Sequence, residues 1–348
     1  MSVVEELGMS KPKIAIVGSH NFPGGTSTAI AEELSVLVQM GDVSFYNADV
    51  KMLRNNPINQ TLFRSLREHG VPIKRATGII SADIAIVHNP ALFKFEDELP
   101  FRVLSRKVFV IMHENPINAF SRPNFNYQKT LGLLHRATVT PEFLLAPISG
   151  VSRMLIQQSG VRYNVAETDW FNIWSRDDIE PTRNPQDRRG RHSRPGLGKW
   201  PNVIDFAKCF PTHAENHILG ATSTMMSNSW ANSNTHLYDF GSMQVPKFLE
   251  KIDFMVYFHS DALRESFGRT IVEAISAGKV VITHPYMEQT FGDACVYASA
   301  DEVDQIVAHY IANSDLYVDK VKQSQKTLRD NYSPQAFLRE WGGKLAAA

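Results

Sequence analysis

The stretch that most constrains the fold runs from Glu265 to Gly278 and reads E-S-F-G-R-T-I-V-E-A-I-S-A-G. Ser266-Phe267-Gly268 is a turn signal. Thr270 to Ser276 carries Ile271, Val272 and Ile275 at helical spacing, and Gly278 stands where a helix C-terminus is expected. Val280-Val281-Ile282 follows as a short, wholly apolar strand. A turn that feeds a helix start is an anion site, because the first backbone N–H groups are unpaired and the helix dipole is positive there. Glu265 precedes the helix and Glu273 lies about one turn inside it. Both are placed to face one ligand lying across the helix start.

The rest of the chain repeats this grammar. Lys13 to Gly18 reads as a buried parallel strand. A polar loop with Pro23-Gly24-Gly25-Thr26 follows, then a helix from Ala29 to Val38. Strand, glycine-rich loop and helix open a doubly wound domain. The loop is not G-x-G-x-x-G, which counts against a dinucleotide-binding dehydrogenase. Val43 to Asn47, Ile84 to Val87 and Val108 to Met112 read as further strands. The last two end in His88-Asn89-Pro90 and His113-Glu114-Asn115-Pro116, at the position where open α/β sheets hold ligands. Each histidine has an ordinary alternative, capping its strand end. Ala137 to Thr140 and Leu144 to Ile148 are short strands, and Ser149 to Gly160 is an N-capped helix. Residues 54–75, with Arg54, Arg64, Arg67, Lys74 and Arg75, form either a basic face for an anionic acceptor or membrane surface, or a solvated helix flank.

Arg176 to Arg188 is charged, contains Pro181 and Pro185, and fits a linker or an exposed entry to a second domain. Gly190-Arg191 then begins a basic loop that runs through Arg194 to Lys199-Trp200. His217 to Gly220, Leu237 to Phe240, Ile252 to Phe258 and Val280 to Thr283 are the strands of the second domain. Residues 222–236 carry no periodic signal. Residues 301–314 and 316–331 read as helices, and Phe337 and Trp341 anchor a last one.

The E-x7-E pattern, with its Phe-Gly turn, Ala-Gly end and flanking strands, resembles the signature of the family-4 retaining glycosyltransferases. The resemblance implies the GT-B fold, two Rossmann-like doubly wound α/β domains facing across a cleft. The expected domains are 1–170, 171–325 and a C-terminal helix, 326–348, crossing back to the first. It implies that Glu265 holds the transferred sugar and Glu273 the ribose of a nucleotide-diphosphate sugar. The amides of Phe267, Gly268, Arg269 and Thr270 would hold the diphosphate. The family's G-R-x-x-x-x-K-G step matches Gly190-Arg191 and Lys199, whose cations would neutralise the leaving diphosphate. Here the loop is longer, Trp200 replaces a glycine, and Arg194 rivals Lys199. Gly24, Gly25 and Thr26 fall where the family approaches donor phosphates or acceptor. His113 falls where a family histidine lies beside the transferred sugar, although Glu114 stands in for the usual Asp.

The resemblance therefore implies transfer from a nucleotide-sugar donor to a glycan, lipid-linked or small-molecule acceptor hydroxyl, with no cofactor and no metal. Acceptor choice would lie in loops 54–75 and 113–128. Two other readings stand beside it: a nucleotide-sugar 2-epimerase, and a non-catalytic subunit partnering another glycosyltransferase. Bulk properties are compatible with all three. The 348 residues are 43% hydrophobic and 21% charged with zero formal net charge, so nothing drives the chain toward nucleic acid, and any membrane contact would be peripheral and weak. Two cysteines, Cys209 and Cys295, are too few for a disulfide framework. Met1 to Ser10 lacks a signal-peptide core, and a cytoplasmic location is expected. The terminal G-K-L-A-A-A resembles a vector-encoded linker.

Overall fold

The computed structural model describes residues 11–220, 230 and 232–346, the Leu197 side chain excepted. The chain forms two compact units, Met1–Ser175 with Asn331–Ala348, and Arg176–Asp330.

The first unit is built on a seven-stranded sheet. In chain order its strands are β1 (Lys13–Gly18), β2 (Asp42–Asn47), β3 (Ile73–Arg75), β5 (Ile84–His88), β7 (Lys107–Met112), β9 (Glu142–Pro147) and β10 (Asn164–Val165). Their order across the sheet is β10-β9-β7-β5-β1-β2-β3, and every pairing is parallel. The reversal of direction across β1 and β5 marks a topological switch point, where the loops at the strands' carboxyl ends part. β1, β5 and β7 are apolar runs buried on both faces, as a parallel sheet flanked by helices requires. Helix Gly25–Met40 leaves the β1 loop and buries Ile30, Leu34 and Leu37. A second sheet of three short parallel strands, β4 (Gly78–Ser81), β6 (Phe101–Leu104) and β8 (Thr138–Val139), lies in the same unit.

The last helix, Pro334–Ala346, also belongs to this unit. Trp341 sets its ring edge-on to Phe109 of β7 at 5.3 Å and against Trp170 at 4.7 Å. The G-K-L-A segment read as a linker continues this helix, and Leu345 is buried.

The second unit holds six parallel strands in the order β13-β12-β11-β14-β15-β16. These are β11 (Arg188–His192), β12 (Glu215–Leu219), β13 (Thr235–Tyr238), β14 (Phe254–Tyr257), β15 (Val280–Thr283) and β16 (Val296–Tyr297). The core packs Phe206, Phe210, Phe254, Val256, Ile282, Val307 and Tyr317. β11 is central although R-R-G-R-H makes a poor apolar strand. Its cations are matched instead: Arg188 is bidentate on Asp253 at 2.8 and 3.0 Å, and Arg189 bonds Asp187 at 2.7 Å and Asp304 at 2.6 Å. Gly190 has a steric reason, since a Cβ there would lie 2.5 Å from Ile252 Cγ2.

The stretch expected as a linker is docked. Ile179 N–H donates to Ser276 O at 2.7 Å, and Ser276 Oγ donates to Asp177 O at 3.2 Å. Of the unassigned stretch 222–236, Trp230, residues 232–234 and the start of β13 are described; 222–229 and 231 lie outside the described residues. The basic run 54–75 divides into helix Gln60–Glu68, capped by Asn59 at Leu62 N, and edge strand β3.

Candidate active site

In the second unit, helix Arg269–Ser276 begins behind Gly268, whose φ of 90° is the left-handed conformation that glycine adopts at least cost. Gly268, at the N-cap, makes no side-chain cap hydrogen bond, so it presents the helix dipole from backbone alone. Phe267 is buried and fixes the turn against Phe291, with ring centroids 5.7 Å apart.

Glu265 lies at the centre of a polar cluster. Lys199 Nζ donates to Glu265 Oε2 at 2.8 Å and Tyr257 Oη donates to the same oxygen at 2.7 Å. The Glu265 N–H donates to Tyr286 Oη at 3.1 Å. Burial alone would raise the Glu265 pKa; the Lys199 charge and hydrogen bond, with the Tyr257 hydroxyl, overcome it and hold the carboxyl at about 2. Tyr286 bonds His259, and His259 N–H donates to His284 Nε2 at 3.2 Å. Burial lowers His259 to about 3 and His284 to about 4, so both are neutral imidazoles at neutral pH.

Glu273 is the second predicted carboxylate. Arg269 Nε donates to it at 3.2 Å, and His192 Nε2 lies 3.5 Å away. Burial raises its pKa, against the pull of Arg269 and Arg176. Glu265, Lys199, Glu273, Phe267, Gly268, Arg269 and Thr270 therefore gather at the carboxyl ends of β11 and β14, as the ligand rule for open sheets requires.

Arg191, expected as a phosphate clamp, is placed differently. It is completely buried, with its guanidinium 4.5 Å from the centre of the Tyr257 ring and 4.8 Å from that of Trp200. One Nη donates to the Lys199 carbonyl. The physical reason is that a guanidinium is weakly hydrated and stacks well on aromatic faces, so two rings compete with solvent for it. Arg191 thus supports the loop that presents Lys199. Trp200, in the glycine's place, supplies one of those rings. Arg194, the rival to Lys199, is exposed.

In the first unit, Thr26 Oγ1 accepts from Asn89 Nδ2 at 3.3 Å, and His88 Nδ1 lies 3.0 Å from His113 Nε2. Gly24 has a φ of 106° and starts the helix of Gly25 and Thr26 without a side-chain cap. Gly24, Gly25, Thr26, Asn89 and His113 stand after β1, β5 and β7, and His88 is the last residue of β5. Burial lowers His113 to about 3. Sequence reading passed over Tyr257, His259, His284 and Tyr286. The signal was there: each lies at or after a strand's carboxyl end, the position that drew attention to His88 and His113.

A group of possible metal ligands also escaped it. Glu215, His217 and His236 offer atoms within 4.8 Å of one another, brought together by adjacent strands. His217 is already engaged at both nitrogens: Nε2 meets Glu215 Oε1 at 2.9 Å, and Nδ1 meets Tyr238 Oη at 3.2 Å. The two imidazoles are stacked at 18°, so their in-plane lone pairs run side by side instead of converging on one ion.

No protein-family model and no curated protein matches the sequence. Solved structures do. HepE from Anabaena, determined with UDP-glucose, has a TM-score of 0.64 at 14% identity over 97% of this chain and 100% of that one. A glycosyltransferase from Rickettsia africae has a TM-score of 0.60 at 12% identity, covering 97% of this chain and 98% of that one. The lipopolysaccharide outer core galactosyltransferase WaaB has a TM-score of 0.59 at 14% identity, covering 96% and 99%. At such identities the likeness concerns the fold: the two parallel-sheet units are those of GT-B proteins.

Proposed function

We propose that the chain is a retaining glycosyltransferase that moves a sugar from a nucleotide-diphosphate sugar to an acceptor hydroxyl. The observation that carries this reading is the uncapped helix start behind Gly268, flanked by Glu265 and Glu273 with Lys199 alongside. A diphosphate needs donors and positive charge where its own charge grows, and a carboxylate on either side suits the hydroxyls of a sugar and a ribose. The complexes of the structural relatives with UDP-glucose or UDP support a uridine donor over other bases.

In this reading the backbone N–H groups of residues 267–270 receive the diphosphate. Lys199 stands beside them, and as the donor enters its ammonium divides its hydrogen bonds between Glu265 and phosphate oxygen. Glu265, ionised and anchored by Tyr257, accepts from hydroxyls of the transferred sugar. Glu273, oriented by Arg269, accepts from the ribose. Arg191 acts from below, holding Lys199 and Tyr257 in register. His113 is assigned to the transferred sugar on the family resemblance, and the retaining outcome rests on the same E-x7-E pattern. The chemistry asks for charge neutralisation of the leaving diphosphate rather than for a proton donor to it.

The test is product analysis. Purified protein is incubated with UDP-sugars and a panel of simple glycoside acceptors, and the anomeric configuration of the product is read by NMR. Transfer with the donor's configuration kept supports the proposal. Conversion of the donor alone, without acceptor, would favour an epimerase instead.

A further inference from the structure

The first unit contains a buried polar chain that the proposed reaction has not used. Glu33 sits on helix Gly25–Met40 with no exposed side-chain surface, 3.4 Å through Oε2 from Nε2 of His88. His88, equally enclosed at the end of β5, turns its other nitrogen to His113 Nε2 at 3.0 Å. His113 alone of the three is partly exposed. A carboxyl group sunk in an apolar helix face costs stability, and such a group is placed there by packing alone only rarely.

We propose that Glu33 and His88 are positioning residues that set the tautomer of His113, and so decide whether its remaining nitrogen, Nδ1, offers a ligand a donor or an acceptor. The logic is one of proton counting along the chain. When Glu33 is protonated, its O–H donates to His88 Nε2. His88 then carries its proton on Nδ1 and donates to His113 Nε2, which leaves His113 protonated at Nδ1. When Glu33 is ionised, His88 Nε2–H donates to the carboxylate. His88 Nδ1 then accepts from His113 Nε2–H, and His113 Nδ1 becomes an acceptor. Loss of one proton at Glu33 thus shifts the proton across the Glu33–His88 contact, whose facing atoms lie 3.4 Å apart and are not hydrogen-bonded in this structure, reverses the His88–His113 hydrogen bond, and inverts the edge that His113 presents, with no change in the charge of either imidazole.

The groups bearing on the chain favour a reversal in an accessible range. Burial raises Glu33 to about 8, with Trp170 acting against it. Burial and the neighbouring His113 push His88 well down, and burial lowers His113, so both rings stay neutral while Glu33 titrates. The titratable groups facing one another here come from three elements: Glu33 from the helix, His88 from β5 and His113 from the loop after β7.

The functional value of the device rests on the glycosyltransferase reading, in which His113 meets the transferred sugar; the tautomer reversal itself does not. The experiment is 15N NMR of histidine-labelled, unliganded protein from about pH 6 to about pH 9.5, with each imidazole assigned by single His→Gln variants. The expected result is a His113 that is Nδ1-protonated at the acid end and Nε2-protonated at the alkaline end, and that no longer changes with pH in Glu33→Gln. His88→Gln, which interrupts the chain but keeps Glu33, predicts the same loss and serves if Glu33→Gln does not fold. One tautomer throughout in the wild-type protein, or a reversal that persists in either variant, would overturn the inference. A parallel measurement of transfer tests the dependence on function: turnover of Glu33→Gln falls by about 10- to 100-fold, the range seen for groups that orient a functional imidazole, while donor KM is unchanged. A normal tautomer reversal without any transfer would contradict the enzymatic reading and leave the chain intact.

Discussion

Replacing Lys199 with Met is the perturbation whose size the site predicts most directly. Lys199 and Glu265 are 2.8 Å apart, with only 19% and 15% of their side chains exposed. Methionine keeps the stem of the lysine and deletes its charge. Glu265 would then stand with the Tyr257 hydroxyl and no cation in contact. The carboxyl's ordinary value is 4.5 and the folded protein holds it at about 2. At about 1.4 kcal/mol per pKa unit, that difference is worth about 3 kcal/mol of folding stability. The sign follows from the lowered value: the contribution is present above 4.5 and is lost as pH falls toward 2. Stranding a buried charge typically costs about 3–5 kcal/mol, which brackets the same figure. Lys199→Met should therefore lose roughly 3 kcal/mol in denaturant unfolding at neutral pH. The loss should shrink at about pH 4, where the orphaned carboxyl can take up a proton and no longer needs a cation. Adding Glu265→Gln should recover most of the loss, because the two side chains act as one unit. A loss below about 1 kcal/mol, as for an ordinary surface pair, or a loss that does not change with pH, would refute the reasoning.

Three further outcomes follow from other parts of the molecule. Glu33, raised from 4.5 to about 8 by burial, contributes stability that is full below its unfolded value and is lost as pH rises from about 4.5 through about 8; unfolding free energies of Glu33→Gln should lack that decline, which amounts to roughly 5 kcal/mol across this window in the wild-type protein, and an identical slope in both would contradict it. Gly190→Ala should destabilise by about 1–3 kcal/mol through its clash with Ile252, and Ile252→Ala in the same chain should relieve it in a thermal-unfolding double-variant cycle. Trp341→Ala, which empties the aromatic cluster formed with Phe109, Trp170 and Phe337, should cost about 3–5 kcal/mol and lower the thermal midpoint.

The parallel sheets were legible where strands are apolar runs between helices: β1, β7, β14 and β15 carry little else, and burial on both faces leaves a run no alternative. β11 was not, because R-R-G-R-H looks solvated until Asp253 and Asp304 arrive from distant positions to join the adjacent Asp187 in neutralising it. Of the small sheet, β8 was legible within Ala137 to Thr140, whereas β4 and β6 were missed since G-I-I-S and F-R-V-L are short and half-exposed, with Ile79 75% and Leu104 49% accessible. In the site, Glu265, Glu273 and the Gly268 turn were readable because their spacing is local to one helix. The enclosure of Arg191 was not, because Trp200 and Tyr257 reach it from separate elements. His88 and His113 could be flagged by their positions after strands, whereas nothing in A-E-E-L distinguishes Glu33 from a solvated helix residue. Docking of 176–179 beside Ser276 was hidden for a related reason: a charged, proline-containing stretch satisfies the description of a linker until its backbone partners are known.

The central claim is that the turn at Gly268, with Glu273 and Lys199, is a nucleoside-diphosphate site. Isothermal calorimetry of the purified protein with UDP tests it most directly, with GDP, ADP and CMP as comparisons and Glu273→Ala as the control. The account predicts saturable binding of UDP, a rise in melting temperature in step with occupancy, and at least about tenfold weaker binding to Glu273→Ala, the loss of one charge-assisted hydrogen bond. Absence of binding by every nucleotide, or UDP affinity unchanged in Glu273→Ala, would contradict it.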